Sequence, residues 1–305
     1  MFKNHAIIGL LVLIISGILL YFKIEPVSTC FYIFAWWSFI IILDGFIYQK
    51  TGQSLIRSRT REFVFMIVIS NLFWLIFEGY NFFIKNWYYI NAPSNILWRR
   101  LASFLAFGTV LPAIFSATEL LESYGLLKNF KIEKLNITKD TLRFEIVLGL
   151  IFIIFPFIFP EHCFPLIWGG FIFLLDPINY KFGGRSLLRD LENGSIRKLC
   201  MLLLGGLICG IFWEFWNFWA GSKWVYSIPI STEQYKLFEM PLLGFVGFPP
   251  FAVECYVMYS FITLLKEKLI NNKLYLKMIF WVIIFSVIFL LLHFLDKYTI
   301  LSFTS

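Results

Sequence analysis

The stretch LDGFIYQKTGQSLIR at residues 43–57 returns in the same chain as LDPINYKFGGRSLLR at residues 175–189. The identical positions, from the Leu-Asp pair to the final Arg, are each displaced by 132 residues. A second block, displaced by 136 or 137 residues, pairs Glu78, Asn81, Phe82, Trp87 and Tyr89 with Glu214, Asn217, Phe218, Trp224 and Tyr226. Self-similarity of this kind is typical of repeat architectures, so the sequence predicts two similar halves.

The composition indicates a membrane protein. Hydrophobic residues make up 59% of the chain and charged residues only 15%, whereas about half of a soluble domain is apolar. A bilayer core of about 30 Å needs roughly 20 apolar residues per helical span. Nine such runs lie at residues 6–22, 27–48, 62–84, 101–121, 144–159, 164–180, 199–220, 242–265 and 278–295. We therefore predict an all-α, polytopic transmembrane helical bundle of about nine spans.

The basic residues predict the orientation of this bundle. If the amino terminus is cytoplasmic, 19 of the 26 Lys and Arg residues fall on the cytoplasmic side. This distribution agrees with the positive-inside rule. It also accounts for the net charge of +7 without a nucleic-acid partner. We predict a multi-pass protein of the bacterial inner membrane whose partner is the lipid bilayer, and the oligomeric state stays open.

The repeat divides the chain into four parts. We expect a first four-helix repeat at residues 1–124, a cytoplasmic linker at 125–143, a second four-helix repeat at 144–270 and an extra transmembrane helix at 271–305. An even number of spans per repeat places both copies the same way up in the membrane. The prediction is a parallel repeat with any site at the interface between the halves.

Acidic residues inside the predicted spans give the clearest indication of function. These spans contain no Lys or Arg, yet they contain Asp44, Glu78, Glu119, Asp176, Glu214 and Glu254. An ionised carboxylate in hydrocarbon is costly, so each is expected to be neutral, hydrogen-bonded, bound to a cation or beside a hydrated cavity.

The Glu-Asn pairs are the leading catalytic candidates. Glu78 and Asn81 lie three residues apart, as do Glu214 and Asn217, so each pair shares one helix face. We expect the glutamates to donate or accept protons and the asparagines to orient them. A second, deeper group would comprise Asp44, Asp176 and Glu254. The alternative is that each pair only joins helices by hydrogen bonds.

Aromatic residues surround these acids. The candidate substrate-binding residues are Trp74, Trp87, Trp213, Trp224 and Tyr226. Their ring faces can stabilise a cation, although such rings also pack in cores or face lipid. Prolines at residues 112, 249 and 250 interrupt two spans, and the broken helices would either line a cavity or only kink for packing.

Other sequence features exclude some chemistry and leave one further site open. Three His and five scattered Cys residues form no metal-binding or cofactor motif, so we expect neither a metal nor a cofactor. The loops at residues 52–61 and 183–197 are basic and contain glycine. They are suited to a phosphate or an anionic lipid, or they only set the topology.

The stretch at residues 213–259 contains WEFWN, WVY, FEMPLLGFVGFPPF and AVECYVMY. It resembles segments of duplicated bacterial polytopic membrane proteins that have no established activity. The order of its motifs is also similar to the lycopene cyclase domain of small integral-membrane carotenoid cyclases. That resemblance implies protonation of a polyene end and ring closure through a carbocation, without redox change. The matching places would be filled by Glu214, Trp224, Tyr226, Pro250 and Glu254, while the paired glutamates that follow proline in that domain are absent.

Three functions remain open from the sequence. The leading hypothesis is a membrane enzyme of the cyclase, isomerase or hydratase type, which acts on an isoprenoid or lipid by non-redox acid-base chemistry. The second is a proton- or cation-coupled transporter of a small solute, which a continuous polar path between the two ends would favour. The third is a non-catalytic assembly or lipid-binding factor.

Overall fold

A computed structural model describes residues 4–228, 235–270 and 273–304. The first half contains α1 (Asn4–Tyr21), α2 (Phe31–Thr51), α3 (Leu55–Ser58), α4 (Thr60–Ile84), β1 (Trp87–Ile90), α5 (Ile96–Phe107) and α6 (Val110–Ser123). The second half begins with α7 (Lys139–Ile158), α8 (Pro160–Cys163), a 3₁₀ turn (Phe164–Trp168), α9 (Gly170–Phe182), α10 (Leu187–Glu192) and α11 (Arg197–Trp219). It ends with β2 (Lys223–Tyr226), β3 (Lys236–Leu237), β4 (Met240–Pro241), a 3₁₀ turn (Leu242–Gly247), α12 (Phe248–Leu265), a π turn (Lys266–Ile270) and α13 (Leu274–Tyr298).

The all-α membrane bundle predicted from composition is confirmed. Within the described residues, eight helical segments are long and apolar enough to cross a membrane, and α1 is a shorter apolar helix. These nine segments coincide with the nine apolar runs of the sequence. Helix α7 begins at Lys139, inside the segment predicted as a linker, because Thr138 and Thr141 form a capping box at its first turn.

The helices of the two halves pack around a shared core. Helix α1 lies on α2 and α7 on α9, while α11 packs against both α6 and α12. Fully buried Trp36, Phe77 and Leu111 belong to a hydrophobic cluster that also includes second-half residues such as Cys209 and Phe251. Helix α13 packs on α4 and closes this side of the bundle.

Glycines allow α11 and α12 to approach closely. A Cβ at position 206 would lie 2.6 Å from the Ala252 Cβ and 2.7 Å from the Phe248 carbonyl oxygen. At position 210 it would lie 2.3 Å from the Phe248 ring. Gly206 and Gly210 therefore permit the close approach, since a larger residue would not fit unless neighbouring atoms moved.

The two spans that contain Pro112 and Pro249-Pro250 are broken. Helix α5 ends at Phe107 and α6 begins at Val110, with Pro112 in its first turn. The Ser70 hydroxyl bridges this break, because it donates to the Phe107 carbonyl (2.5 Å) and accepts from the Leu111 amide (3.1 Å). In the second half, a 3₁₀ turn precedes α12, which begins just before its two prolines. Freed backbone groups at such breaks need partners within the protein.

Short strands join the two halves at one end of the bundle, here called the strand end. Strand β1 pairs antiparallel with β2, with Trp87 opposite Tyr226 and Tyr89 opposite Trp224. Residues 299–304, after α13, run parallel to β1 on its other side, where the Tyr89 amide donates to the Thr299 carbonyl (2.8 Å). The opposite end, here called the basic end, carries the loops at residues 52–59 and 183–196.

We predict that Gly206→Ala destabilises the protein by about 1–3 kcal/mol, because the new methyl group would overlap backbone atoms of α12. The matched control is Gly79→Ala, in a helix position where an added Cβ meets nothing within 4 Å. Thermal unfolding in detergent measures both. Equal melting temperatures for the two variants would contradict the close packing described here.

Candidate functional site

Glu78 is completely buried and accepts three hydrogen bonds on one oxygen. Its Oε1 accepts from the indole Nε1 of Trp74 (3.0 Å), the Nε1 of Trp87 (3.0 Å) and the hydroxyl of Tyr89 (2.5 Å). Its Oε2 is buried and has no hydrogen-bond partner. The carboxyl group is therefore held on one side and has one oxygen free for a proton or a ligand.

Glu214 occupies the corresponding place in the second half, with fewer donors. Its Oε1 accepts from the Tyr226 hydroxyl (2.7 Å), and that hydroxyl accepts from the Trp224 Nε1 (2.8 Å). Its Oε2 is also buried without a partner. The counterpart of Trp74 is Gly210, so Glu214 lacks an indole donor on its own helix. The two carboxyl groups thus differ in how strongly hydrogen bonds support a negative charge.

The asparagine side chains hold the starts of the two strands. The Asn81 side chain donates to the Trp87 carbonyl (2.8 Å) and accepts from the Trp87 amide (3.2 Å). The Asn217 side chain makes the same two contacts with Trp224, each at 2.9 Å. These side chains fix the start of β1 and β2 over the glutamates.

A cavity of about 190 Å³ lies at the strand end, between the two halves. All five residues predicted to bind substrate line it: Trp74, Trp87, Trp213, Trp224 and Tyr226. The lining also includes Tyr89 and residues beside both helix breaks, Phe107 and Phe248. The glutamates do not line the cavity themselves, but their hydrogen-bonded tyrosines and tryptophans do.

Several polar groups of the cavity wall are already engaged. The Trp74, Trp87 and Trp224 indole groups donate to Glu78 or to the Tyr226 hydroxyl. Lining residues Arg99 and Lys223 are paired with Asp296 and Glu239, respectively. A ligand in the cavity therefore meets mainly ring faces.

The tyrosine hydroxyls of the site lie on β1 and β2, outside the spans. Burial raises the pKa of Tyr89 and Tyr226 well above the ordinary value for tyrosine, and the neighbouring glutamates add to the shift. Both hydroxyls therefore remain protonated at neutral pH. Each can donate to its glutamate while its oxygen stays beside the cavity.

Asp44 and Asp176 lie away from this site, at the basic end. Asp44 accepts from the Ser54 hydroxyl and the Ile56 amide, both at 2.8 Å. Asp176 accepts from the Ser186 hydroxyl (3.1 Å) and from the first amides of α10. The repeated Leu-Asp and Gly-x-Ser-Leu motifs therefore contact each other, and these aspartates anchor the basic loops in place.

Glu254 and Glu119 are also separate from the cavity. Glu254 accepts from the Phe171 amide (2.7 Å) near the start of α9, although its position just after the helix break suggested a place in the cavity wall. Its Oε2 is buried without a partner. Glu119 is paired with Arg59 and is about one third exposed. The predicted deeper group is thus divided among three locations.

Some residues of the site were not found by the sequence analysis. Tyr89, the third donor to Glu78, appeared there only as part of the repeat, although its counterpart Tyr226 was named. Tyr32 of α2 lines the cavity and packs edge-on against Trp224, with ring centroids 5.1 Å apart. Arg99 lies two residues before the predicted start of its span, and its partner Asp296 is on α13. Only the folded arrangement brings these residues together.

The described residues contain no group of three or more His, Cys, Asp or Glu side chains that could hold a metal ion. Comparison with protein-family models, curated proteins and solved structures found no match to this chain.

We predict that Asn217→Ala loosens the strand end, because the variant loses two hydrogen bonds that hold Trp224. At about 1 kcal/mol per bond, amide exchange in β2 should accelerate about 30-fold. Hydrogen-exchange mass spectrometry of the purified protein measures this. The control is Asn95→Ala, which removes two similar bonds at the start of α5. Unchanged exchange in β2 of Asn217→Ala would contradict the positioning role.

Proposed function

We propose that this protein is a membrane enzyme acting on a hydrophobic isoprenoid or lipid by non-redox acid-base chemistry. The observation that carries the proposal is the pair of buried glutamates, each hydrogen-bonded to a tyrosine that lines one apolar cavity. A proton can pass between a carboxyl group and a bound substrate only over such short contacts.

The cavity favours a hydrophobic ligand. Its volume of about 190 Å³ is below the roughly 300–1,000 Å³ typical of sites that enclose a drug-sized molecule. It is therefore suited to one end of a long apolar chain, with the remainder outside. The aromatic rings of the wall would also stabilise positive charge that develops during protonation of a double bond.

The different surroundings of the two glutamates suggest different roles. Glu78, with three donors, is better prepared to carry negative charge and is assigned as the base. Glu214, with one donor, is assigned as the acid. Glu214 adds a proton to the substrate at one carbon, and Glu78 removes a proton from another carbon. The substrate is neither oxidised nor reduced, as in an isomerisation or a cyclisation.

Topology and duplication are parts of the same proposal. The distribution of Lys and Arg favours a cytoplasmic basic end, in a bacterial inner membrane, with the cavity near the outer face. The parallel repeat is supported by contacts that recur in both halves: Asp to Ser, Asn to a strand and Glu to Tyr.

A transporter is the second candidate, because a separate cleft opens at the basic end. Phe65 and Tyr259 line this cleft, are buried and have ring centroids 6.0 Å apart. Alternating access would require the protein to open between this cleft and the strand-end cavity. We place the enzyme first because of the tyrosine-linked glutamates at the strand end.

We predict that Glu214→Gln and Tyr226→Phe each lower turnover about 10²–10⁴-fold, since each removes part of the proton path and keeps the side-chain size. Cells that express either variant should accumulate an unmodified precursor, which is measured in their extracted lipids and pigments. The control is Glu161→Gln, which removes an exposed carboxylate of α8.

An unchanged lipid profile together with altered solute uptake would overturn the enzyme in favour of transport. If both readouts are unchanged and only the abundance of other membrane components falls, the assembly role is correct. Melting temperatures of the purified variants exclude misfolding as the cause of any loss.

A further inference from the structure

The cleft at the basic end is a second cavity, and the proposed reaction does not use it. Its volume is about 360 Å³, and it is formed by the start of α4, the end of α9 and the end of α12. Three basic residues from distant parts of the chain line it: Arg61, Arg185 and Lys266. Because these three residues are far apart in the sequence, the fold brings their charges together, and no single basic loop supplies them.

None of these basic side chains is paired with an acid within the described residues. Arg61 and Arg185 have neither a salt bridge nor a side-chain hydrogen bond there. Lys266 lies over the Phe65 ring, 4.1 Å from its centroid. Elsewhere on this end, Arg59 and Lys198 are paired with Glu119 and Glu122. The cleft therefore concentrates positive charge that the protein does not neutralise.

Two acidic residues, Glu62 and Glu267, also line the cleft, but they do not cancel its positive charge. Glu62 lies 3.8 Å from Arg59, outside the cleft, and is partly neutralised by that residue. Glu267 is exposed. Three basic residues against two acids give the lining a net positive charge even before the Arg59 contact is considered.

Neutral groups of the lining are compatible with an anion. The Tyr259 hydroxyl lines the cleft and makes no hydrogen bond to a described residue, so it is available as a donor. The backbone at Gly183 has φ of +79°, and a Cβ there would meet nothing within 4 Å. This open glycine turn leaves room for a group with three or four oxygen atoms beside Arg185.

We propose that this cleft binds a phosphate group through Arg61, Arg185 and Lys266. The phosphate belongs either to an anionic lipid headgroup or to a free phosphate-bearing solute. The shared chemistry is a compact anion that accepts charge-assisted hydrogen bonds from two guanidinium groups and one ammonium group. This site is independent of the proposed reaction at the strand end.

The test uses the full-length protein in nanodiscs of phosphatidylcholine with and without phosphatidylglycerol. Native mass spectrometry measures retained phosphatidylglycerol, and titration with inorganic phosphate measures competition. At about fivefold per basic side chain near a membrane surface, the triple variant Arg61→Gln, Arg185→Gln and Lys266→Gln should bind about 100-fold more weakly.

A matched variant replaces three exposed lysines of the same end, Lys128, Lys131 and Lys139, by Gln. It loses the same charge, so it should retain binding if the cleft is responsible. Retention of phosphatidylglycerol that phosphate does not displace identifies a lipid headgroup. Saturable binding of phosphate alone identifies a soluble ligand.

Equal weakening by both triple variants, or no weakening by either, would overturn the site. If the cleft variant does not fold, Arg185→Lys keeps the charge and removes the planar fork. Weaker phosphate binding by this variant supports the site, and unchanged binding by the three single Gln variants refutes it. If the cleft does not bind phosphate, the lipid-extraction result for Glu214 is unaffected. The two proposals are therefore tested separately.

Discussion

A carboxyl group inside a bilayer must find its hydrogen-bond donors within the protein, since hydrocarbon offers none. In this chain the donors come mainly from segments between helices. Asp44 and Asp176 take backbone and serine donors from the loops that contain α3 and α10, and Glu254 takes an amide at the start of α9. Glu78 and Glu214 take tyrosine hydroxyls from β1 and β2. Each buried acid thus fixes a connecting segment, and together these segments shape both ends of the bundle.

The same requirement explains why the cavity forms where it does. Helix breaks and irregular backbone are tolerated in a membrane protein only where the protein satisfies them. Ser70 does so at the break between α5 and α6, whose flanking residue Phe107 lines the cavity. Asn81 and Asn217 do so at the entry to the strands. Several polar groups at this end support backbone and carboxyl groups, and aromatic rings form much of the cavity wall.

Much of the fold was predictable from the sequence, because a span depends on local composition. All nine apolar runs correspond to helices, and Pro112 and Pro249-Pro250 mark breaks in two spans. Contacts between distant segments were harder to predict from the sequence. The duplicated Leu-Asp motif predicted an intramembrane acid, but not that Asp44 would bind the loop of its own repeat. Similarly, the apolar run of α13 predicted a helix, whereas the pairing of residues 299–304 with β1 depends on tertiary placement. Backbone hydrogen bonds of this kind do not require particular side chains, so they leave little pattern in the sequence.

Glu78 and Glu214 occupy corresponding places in the two halves, but their hydrogen-bond donors differ. The change at one position achieves much of that difference. Trp74 donates an indole hydrogen bond to Glu78, whereas its counterpart Gly210 instead admits the Phe248 ring against α11. A single substitution of this type alters the donor count at one glutamate and also the wall of the shared cavity. Two carboxyl groups with unequal support beside one cavity can divide proton donation and proton acceptance between them. Under the proposed function, this inequality is what separates the acid from the base, since two identical carboxyl sites would have no preferred direction of proton transfer.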